Sequence, residues 1–266
     1  MENSWRIIQV AKKPKFNRPV LIEGLPGIGN VGKVAVDFMV DELKAVKLYE
    51  LFSYSFPHSV FVNEKNIVEL PTIEIYYKKL KGKNDLLFLV GDVQPIDEVS
   101  CYAFCEKVLK LAKELNSREI ITLGGIGLQQ IPKRPKVFCT GNSRAIIATF
   151  EKEPNVETKL HGVVGPIVGV SGLLLGLGEK YKIPAATLLA ETFGHPMYLG
   201  IKGAREILKI LNKRFGLKIN LKDMDKEITE IESEMMKRTE ELSEVSRSTA
   251  IKKLKGKIRK EVSYIG

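Results

Sequence analysis

Continuous apolar segments alternate with helical patterns through most of this 266-residue chain. Three segments have the nearly unbroken apolar character of strands buried on both faces: PVLIEGL at 19–25, DLLFLVGDVQP at 85–95 and REIITLGGIG at 118–127. Helical patterns follow two of them at 29–44 and 98–115, and another lies at 201–217. Because parallel strands need crossover connections and cover on both faces, this alternation predicts a three-layer α/β/α sandwich with a mostly parallel sheet.

Shorter segments complete the predicted sheet. The sequence predicts further strands at AVKLYELF (45–52), VELPTIEIYY (68–77), KVFCTGN (136–142), AIIATF (145–150) and PAATLLAETF (184–193). Alternation in VELPTIEIYY places that strand near a sheet edge. Residues 161–183 are predicted to lead, as a strand or loop, into an apolar helix rich in small residues.

The composition favours a globular protein of the cytoplasm. Hydrophobic residues make up 44% and charged residues 28% of the chain, and its formal net charge is +10. The densest basic run, IKKLKGKIRK at 251–260, contains no aromatic residue, so a nucleic acid is not the expected partner. We expect no membrane span and no signal peptide, because no apolar stretch has the length or the position of either.

The cysteines and histidines do not predict a metal site. Cys101 and Cys105 lie one helical turn apart on a helix face that is predicted to be buried, and with Cys139 they make an odd count. We expect reduced thiols in the core. The three histidines are far apart in sequence and lack the spacing of metal ligands, so no metal is expected.

The composition changes at Asp223, where charged residues begin to dominate. We therefore predict an α/β/α domain over residues 1–222 and a charged helical extension over residues 223–266. Five apolar residues of the extension fall near the a and d positions of a heptad repeat: Ile228, Ile231, Met235, Leu242 and Val245. The extension either packs along its own domain or uses this narrow seam for self-association or helix docking.

A glycine-rich turn joins the first apolar strand to the first helix. GIGNVG at 27–32 satisfies the G-x-G-x-x-G pattern of dinucleotide-binding turns, for which Glu50 could supply the acid on a second strand. Residues 27–33 also match a P-loop as far as Lys33, but Val34 replaces the hydroxyl that binds Mg²⁺. Glycines also permit a tight turn and close packing without any ligand.

A hydrolytic site is the other enzymatic possibility. GVSGL at 169–173 is similar to the nucleophile elbow G-x-S-x-G, with its second glycine one position early. Ser171, His195 and Asp92 could be combined into a catalytic set, but no pattern requires it, and we assign no catalytic residue. A nucleotide-binding or hydrolase-type enzyme that uses the Gly24–Lys33 turn is the alternative function.

Several motifs together resemble the PAC2 family of proteasome assembly chaperones and their archaeal homologues. EGLPGIGNVGKVAVDFMVDEL (23–43), GDVQP (91–95), TLGGIG (122–127) and GPIVGVSGLLLGLGEKYKIPAATLLAET (165–192) occur in that order, within a resemblance that spans residues 16–215. The resemblance implies a phosphorylase- and hydrolase-like α/β/α fold, a homo-oligomer, and a non-catalytic role in the assembly of proteasome α-subunits. It also implies a structural turn without a bound nucleotide, formed by Gly24, Pro26, Gly27, Gly29, Asn30 and Gly32.

The sequence ends in the apolar and aromatic segment VSYIG. Some proteasome activators and assembly chaperones insert a C-terminal hydrophobic-Tyr-X tip between α-subunits, and this tail is similar, with its tyrosine one position further from the end. The resemblance thus implies proteasome α-subunits or the 20S particle as partners. The expected contact residues are Val262, Ser263, Tyr264, Ile265 and Gly266.

Overall fold

The structure, a computed structural model, describes residues 5–153, 155–160, 165–196, 198–226, 228 and 229. The chain divides into two units, residues 1–220 and residues 221–266. The strands and helices that follow belong to the first unit.

The strands and helices alternate largely as the sequence predicts. The strands are β1 (Arg6–Gln9), β2 (Val20–Gly24), β3 (Val46–Phe52), β4 (Phe61–Val62), β5 (Val68–Glu69), β6 (Ile73–Lys78), β7 (Leu86–Gly91), β8 (Glu119–Leu128), β9 (Val137–Gly141), β10 (Val156–Glu157) and β11 (Ala185–Phe193). The helices are α1 (Val31–Glu42), α2 (Glu98–Glu114), α3 (Arg144–Ala148), α4 (Val170–Lys180) and α5 (Ile201–Phe215).

The main sheet has nine strands in the order β1-β3-β6-β7-β2-β8-β11-β9-β10. Its four central strands β7, β2, β8 and β11 are parallel neighbours, and β9 is parallel to β10. Antiparallel pairing joins β1, β3, β6 and β7 on one side and β11 to β9 on the other. The parallel arrangement therefore forms the centre of a sheet that is mixed toward its edges.

Helices cover both faces of the sheet and confirm the α/β/α prediction. Helices α1 and α5 pack together on one face, where Val20, Ile22 and Phe88 are fully buried. Helices α2 and α4 pack together on the other face and enclose a second core with the alternate strand residues, such as Leu21 and Leu87. Since successive strand side chains point to opposite faces, one continuous apolar strand contributes to both cores.

Local capping explains where several helices begin and end. The Asp97 side chain accepts a hydrogen bond from the Ser100 backbone N–H at 2.8 Å and so fixes the start of α2. Helix α5 ends at Phe215 and is capped by Gly216, whose φ of 59° is a left-handed conformation that favours glycine.

Two strand predictions require correction. The prediction of a strand in AIIATF is wrong, because Ser143 caps a short helix, α3, by accepting a hydrogen bond from the Ile146 N–H at 3.5 Å. The segment VELPTIEIYY forms two strands instead of one: β5 ends before Pro71 and β6 begins at Ile73. Proline has no N–H to donate to a strand neighbour, which accounts for this interruption.

The cysteines of the described residues are buried free thiols, as the sequence predicts, and no described helix is suited to cross a membrane. Cys101, Cys105 and Cys139 are buried and not in disulfide bonds. Among the helices in the described ranges, none combines the length and the apolar character needed to span a bilayer.

Candidate functional site

The glycine turn lies at the carboxyl ends of the parallel strands in the centre of the sheet. Strand β2 ends at Gly24, a short 3-10 turn occupies Ile28–Asn30, and α1 begins at Val31. Ligands of open α/β sheets bind at this edge, so the turn stands where a functional site is expected.

Close backbone packing gives a physical reason for two of the glycines. A Cβ at Gly24 would overlap the Gly32 carbonyl oxygen and the Val36 side chain, and one at Gly32 would overlap the Leu123 carbonyl oxygen. Glycine thus lets α1 pack directly against β2 and β8. Gly27 differs, because a Cβ there would have no heavy atom within 4 Å.

Positive φ angles shape the middle of the turn. Gly29 has a φ of 59° and Asn30 a φ of 50°, both in the left-handed region. A Cβ at Gly29 would also lie 2.8 Å from Thr192 Oγ1 on β11. Packing and backbone conformation thus explain Gly24, Gly29 and Gly32, in agreement with a structural turn, and the absence of a bound nucleotide stays a prediction.

Of the two side chains that nucleotide binding would need, Lys33 is paired with a carboxylate and Glu50 is distant from the turn. The Lys33 Nζ forms an ion pair with Asp37 at 2.9 Å and lies 3.9 Å from Asp92. Glu50 belongs to β3, which β6 and β7 separate from β2, whereas the dinucleotide pattern takes its acid from the next strand of the binding unit. This arrangement disfavours the nucleotide alternative.

A buried carboxylate lies directly beneath the turn. Glu23 of β2 has no exposed surface; its Oε1 accepts from the Leu25 N–H at 2.9 Å and its Oε2 accepts from the Ser171 hydroxyl at 2.8 Å. Burial raises the pKa of Glu23 to about 7, although the hydrogen bonds from Leu25 and Ser171 oppose this shift. The sequence analysis missed Glu23, whose only signal is an acid inside an apolar strand.

A cavity of about 510 Å³ opens between the glycine turn and the start of α4. Its lining comes from the turn, the glycine-rich end of β8, residues 165–169 and the first turn of α4. Ser171 is on its wall, so the hydroxyl that contacts Glu23 also borders this space.

The proposed hydrolytic set does not form in the structure. Ser171 binds Glu23 rather than a histidine, Asp92 accepts from the Thr72 N–H and hydroxyl at 3.0 and 2.8 Å, and His195 stacks on Phe193. No group of three or more metal-ligating side chains occurs within the described ranges.

Most of the predicted contact residues lie outside the described residues. These include the tail residues 262–266 and four seam residues, Ile231, Met235, Leu242 and Val245. The fifth seam residue, Ile228, is helical and half-buried.

An exposed apolar hairpin is a second surface that the sequence analysis missed. Strands β4 and β5 pair only with each other among the described residues and form a separate two-stranded sheet. We call residues 60–70 the hairpin. Six of its side chains are both apolar and exposed: Val60, Phe61, Val62, Ile67, Val68 and Leu70. Contiguous exposed apolar side chains are typical of surfaces that bind other proteins.

Known proteins with similar sequences and folds place this geometry in a family. The sequence model of the PAC2 family matches residues 21–239. A Methanocaldococcus jannaschii protein described as uncharacterized is 30% identical over 238 residues, which cover 87% of this chain and 90% of that protein.

Two solved structures show the same fold. Pyrococcus furiosus PbaB, described as an archaeal proteasome activator, is 32% identical with a TM-score of 0.82, over 90% of this chain and 100% of that one. Pyrococcus furiosus PbaA, described as an archaeal homolog of proteasome-assembly chaperone, is 23% identical with a TM-score of 0.71, over 97% and 99%. The likeness extends through the whole described domain rather than the glycine turn alone.

Proposed function

The chain belongs to the PAC2 family, and from this premise we propose that it is a non-catalytic, homo-oligomeric assembly chaperone or adaptor that binds proteasome α-subunits. The observation that carries the proposal is the match to PbaB, a protein described as a proteasome activator, at 32% identity over 90% of this chain. Similarity at this level, spread over the whole domain, supports a shared class of partner.

The C-terminal residues are the proposed contact with the proteasome. Tyr264 and Ile265 supply an aromatic and an aliphatic side chain that a pocket between α-subunits would bury. Several tails on one oligomer would bind an α-ring by avidity even where each tail is weak.

Self-association is the second part of the proposal, and the hairpin is the surface that supports it. An isolated two-stranded sheet is marginally stable in water, yet here it exposes six apolar side chains. The outer edges of β4 and β5 carry backbone groups that no other described strand pairs with. A second copy of the chain offers the same edges and the same apolar side chains, which suits a symmetric interface.

The experiment that tests the proteasome contact compares the full chain with a version that ends at Val262. Each is mixed with proteasome α-subunits and analysed by size-exclusion chromatography with light scattering. We expect the full chain to form a complex and the shortened chain to keep its own mass but lose the complex.

A double variant, Lys252→Ala with Lys253→Ala, is the matched control, because it removes two charges from the basic run and leaves the tip intact. It should bind α-subunits as the full chain does. A full chain that forms no complex would refute the proposal. Binding that survives truncation but disappears with the lysines would replace the tip by an electrostatic contact.

Activation of the finished 20S particle is a second candidate, favoured by the similarity to PbaB, which is described as a proteasome activator. Peptide hydrolysis by the assembled particle, measured with and without the chain, separates the two roles. A tip-dependent rise in hydrolysis indicates activation, whereas binding to free α-subunits with unchanged hydrolysis indicates an assembly role.

A further inference from the structure

The cavity beside the glycine turn has the dimensions of a small-molecule site. Its volume of about 510 Å³ falls within the range of about 300–1,000 Å³ that is typical of ligand pockets. Every described lining residue is glycine, proline or aliphatic except Gln94 and Ser171. Such a surface suits a ligand with an apolar body.

The Gln94 amide is engaged in holding the rim of the cavity. Its Nε2 donates to the Pro26 carbonyl at 2.7 Å, and its Oε1 accepts from the Val170 N–H at 3.3 Å. The Ser171 hydroxyl is therefore the side-chain group of the described lining best placed to meet a polar atom of a ligand.

Glu23 determines which kind of hydrogen bond Ser171 can make. An ionised carboxylate only accepts, so Ser171 must direct its one hydroxyl proton to Glu23 Oε2, at 2.8 Å. The lone pairs of Ser171 Oγ remain as acceptors. This arrangement holds above the Glu23 pKa of about 7. The titratable groups that face Glu23 from α2 are the Cys101 and Cys105 thiols.

The charges around the cavity favour a neutral ligand. The N-termini of α1, through Gly32, and of α4, through Ser171, both border it. Each helix N-terminus acts as about +0.5 charge, and together the two offset the single negative charge of Glu23. Lys33, the nearby cation of the turn, is held by Asp37 at 2.9 Å, and no basic side chain lines the cavity among the described residues.

We propose that this cavity binds a small uncharged molecule with an apolar body and one hydroxyl group, an alcohol or a phenol, whose hydroxyl donates to Ser171 Oγ. The ligand body packs on the aliphatic wall, and the hydrogen bond continues through Ser171 to Glu23. The site is independent of the proposed proteasome contact, and either can fail without the other.

Three probes with one common body test the proposal on the full chain at about pH 8.5, where Glu23 is ionised and a phenol is neutral. They are para-ethylphenol, its methyl ether, which cannot donate, and para-ethylbenzoate, which is charged. Dissociation constants come from saturation-transfer NMR titrations. We expect the phenol to bind about fivefold more tightly than the ether and the benzoate to bind most weakly.

Two variants locate the binding and a third serves as control. In Ser171→Ala, the phenol should lose its advantage over the ether while the ether binds unchanged. In Gly27→Leu, all binding should disappear, because the added side chain enters open space at the cavity wall. Ser59→Ala, an exposed serine away from the lining, should behave as wild type.

The proposal is overturned if no probe binds the wild-type chain, if the ether binds as tightly as the phenol, or if Ser171→Ala leaves the ratio of their dissociation constants unchanged. Binding that survives Gly27→Leu also overturns it, since the probe would then lie elsewhere. The Gly27→Leu result decides the location even where Ser171→Ala fails to fold.

Discussion

Replacing Gly32 by alanine tests whether backbone packing requires glycine at this position of the turn. A Cβ at this position would lie 2.9 Å from the Leu123 carbonyl carbon and overlap its oxygen. The new Cβ would be fixed to the backbone of α1, and the Leu123 carbonyl is part of the backbone of β8. Neither can move away as a flexible side chain would. Overpacking of this kind costs about 1–3 kcal/mol, and a rigid backbone contact belongs at the upper end.

Overpacking at this contact should cost about 3 kcal/mol, and the preference of helices for alanine offsets about 1 kcal/mol of it. The free energy of unfolding of Gly32→Ala should therefore be about 2 kcal/mol lower than that of wild type. In a domain of this size, that loss lowers the melting temperature by about 4–8 °C. Urea unfolding followed by circular dichroism measures the free energy directly.

Gly27→Ala is the matched control within the same motif. Gly27 has an extended backbone, with a φ of −159°, and a Cβ there would meet nothing within 4 Å. Alanine at this position should leave stability unchanged or raise it by about 0.5 kcal/mol, because it restricts the unfolded chain. A Gly32→Ala protein as stable as wild type, or an equally destabilised Gly27→Ala protein, would refute the packing argument.

Two further predictions concern the buried carboxylate and the hairpin. The pKa of Glu23 rises from 4.5 to about 7 on folding, so the native state holds the proton more tightly than the unfolded chain does. The free energy of unfolding should therefore fall by about 3 kcal/mol as the pH rises from about 4.5 to 7. Denaturant unfolding across this range should show that fall in wild type and lack it in Glu23→Gln. In the hairpin, Val62 and Val68 are cross-strand partners exposed by 62% and 63%, so changing them to Asp and Lys keeps an attractive pair but removes apolar surface. Light scattering should show a lower mass for that double variant and an unchanged mass for the control Val46→Lys, and an unchanged mass in both would refute the hairpin interface.

The central architecture was predictable because buried parallel strands have a distinct sequence pattern. In β2 and β7 every residue is buried, and both appear in the sequence as almost unbroken apolar runs. The same reasoning failed at AIIATF, because a short apolar run does not distinguish a strand from a helical turn, and the Ser143 cap decided it.

The functional surfaces were less predictable because they depend on distant contacts. Glu23 and Ser171 are separated by 148 positions, and only the finished fold brings the hydroxyl to the carboxylate. Strands β4 and β5 have two residues each, too few for an alternating pattern to appear. Packing against a remote backbone, as at Gly32 and Leu123, leaves no local signal beyond the glycine itself.

The central place of β2 has a consequence for the order in which the chain folds during synthesis. Strand β2 ends at Gly24, but its two neighbours, β7 and β8, end at Gly91 and Leu128. At about 5–20 residues per second, the ribosome needs about 5–20 s to deliver the second neighbour after β2 has been made. During that time β2, whose five residues are all buried in the folded domain, lacks at least one of its two neighbouring strands. The sheet around β2 can therefore be completed only after β8 has been made, and we expect the nascent chain before that point to be the form most exposed to aggregation.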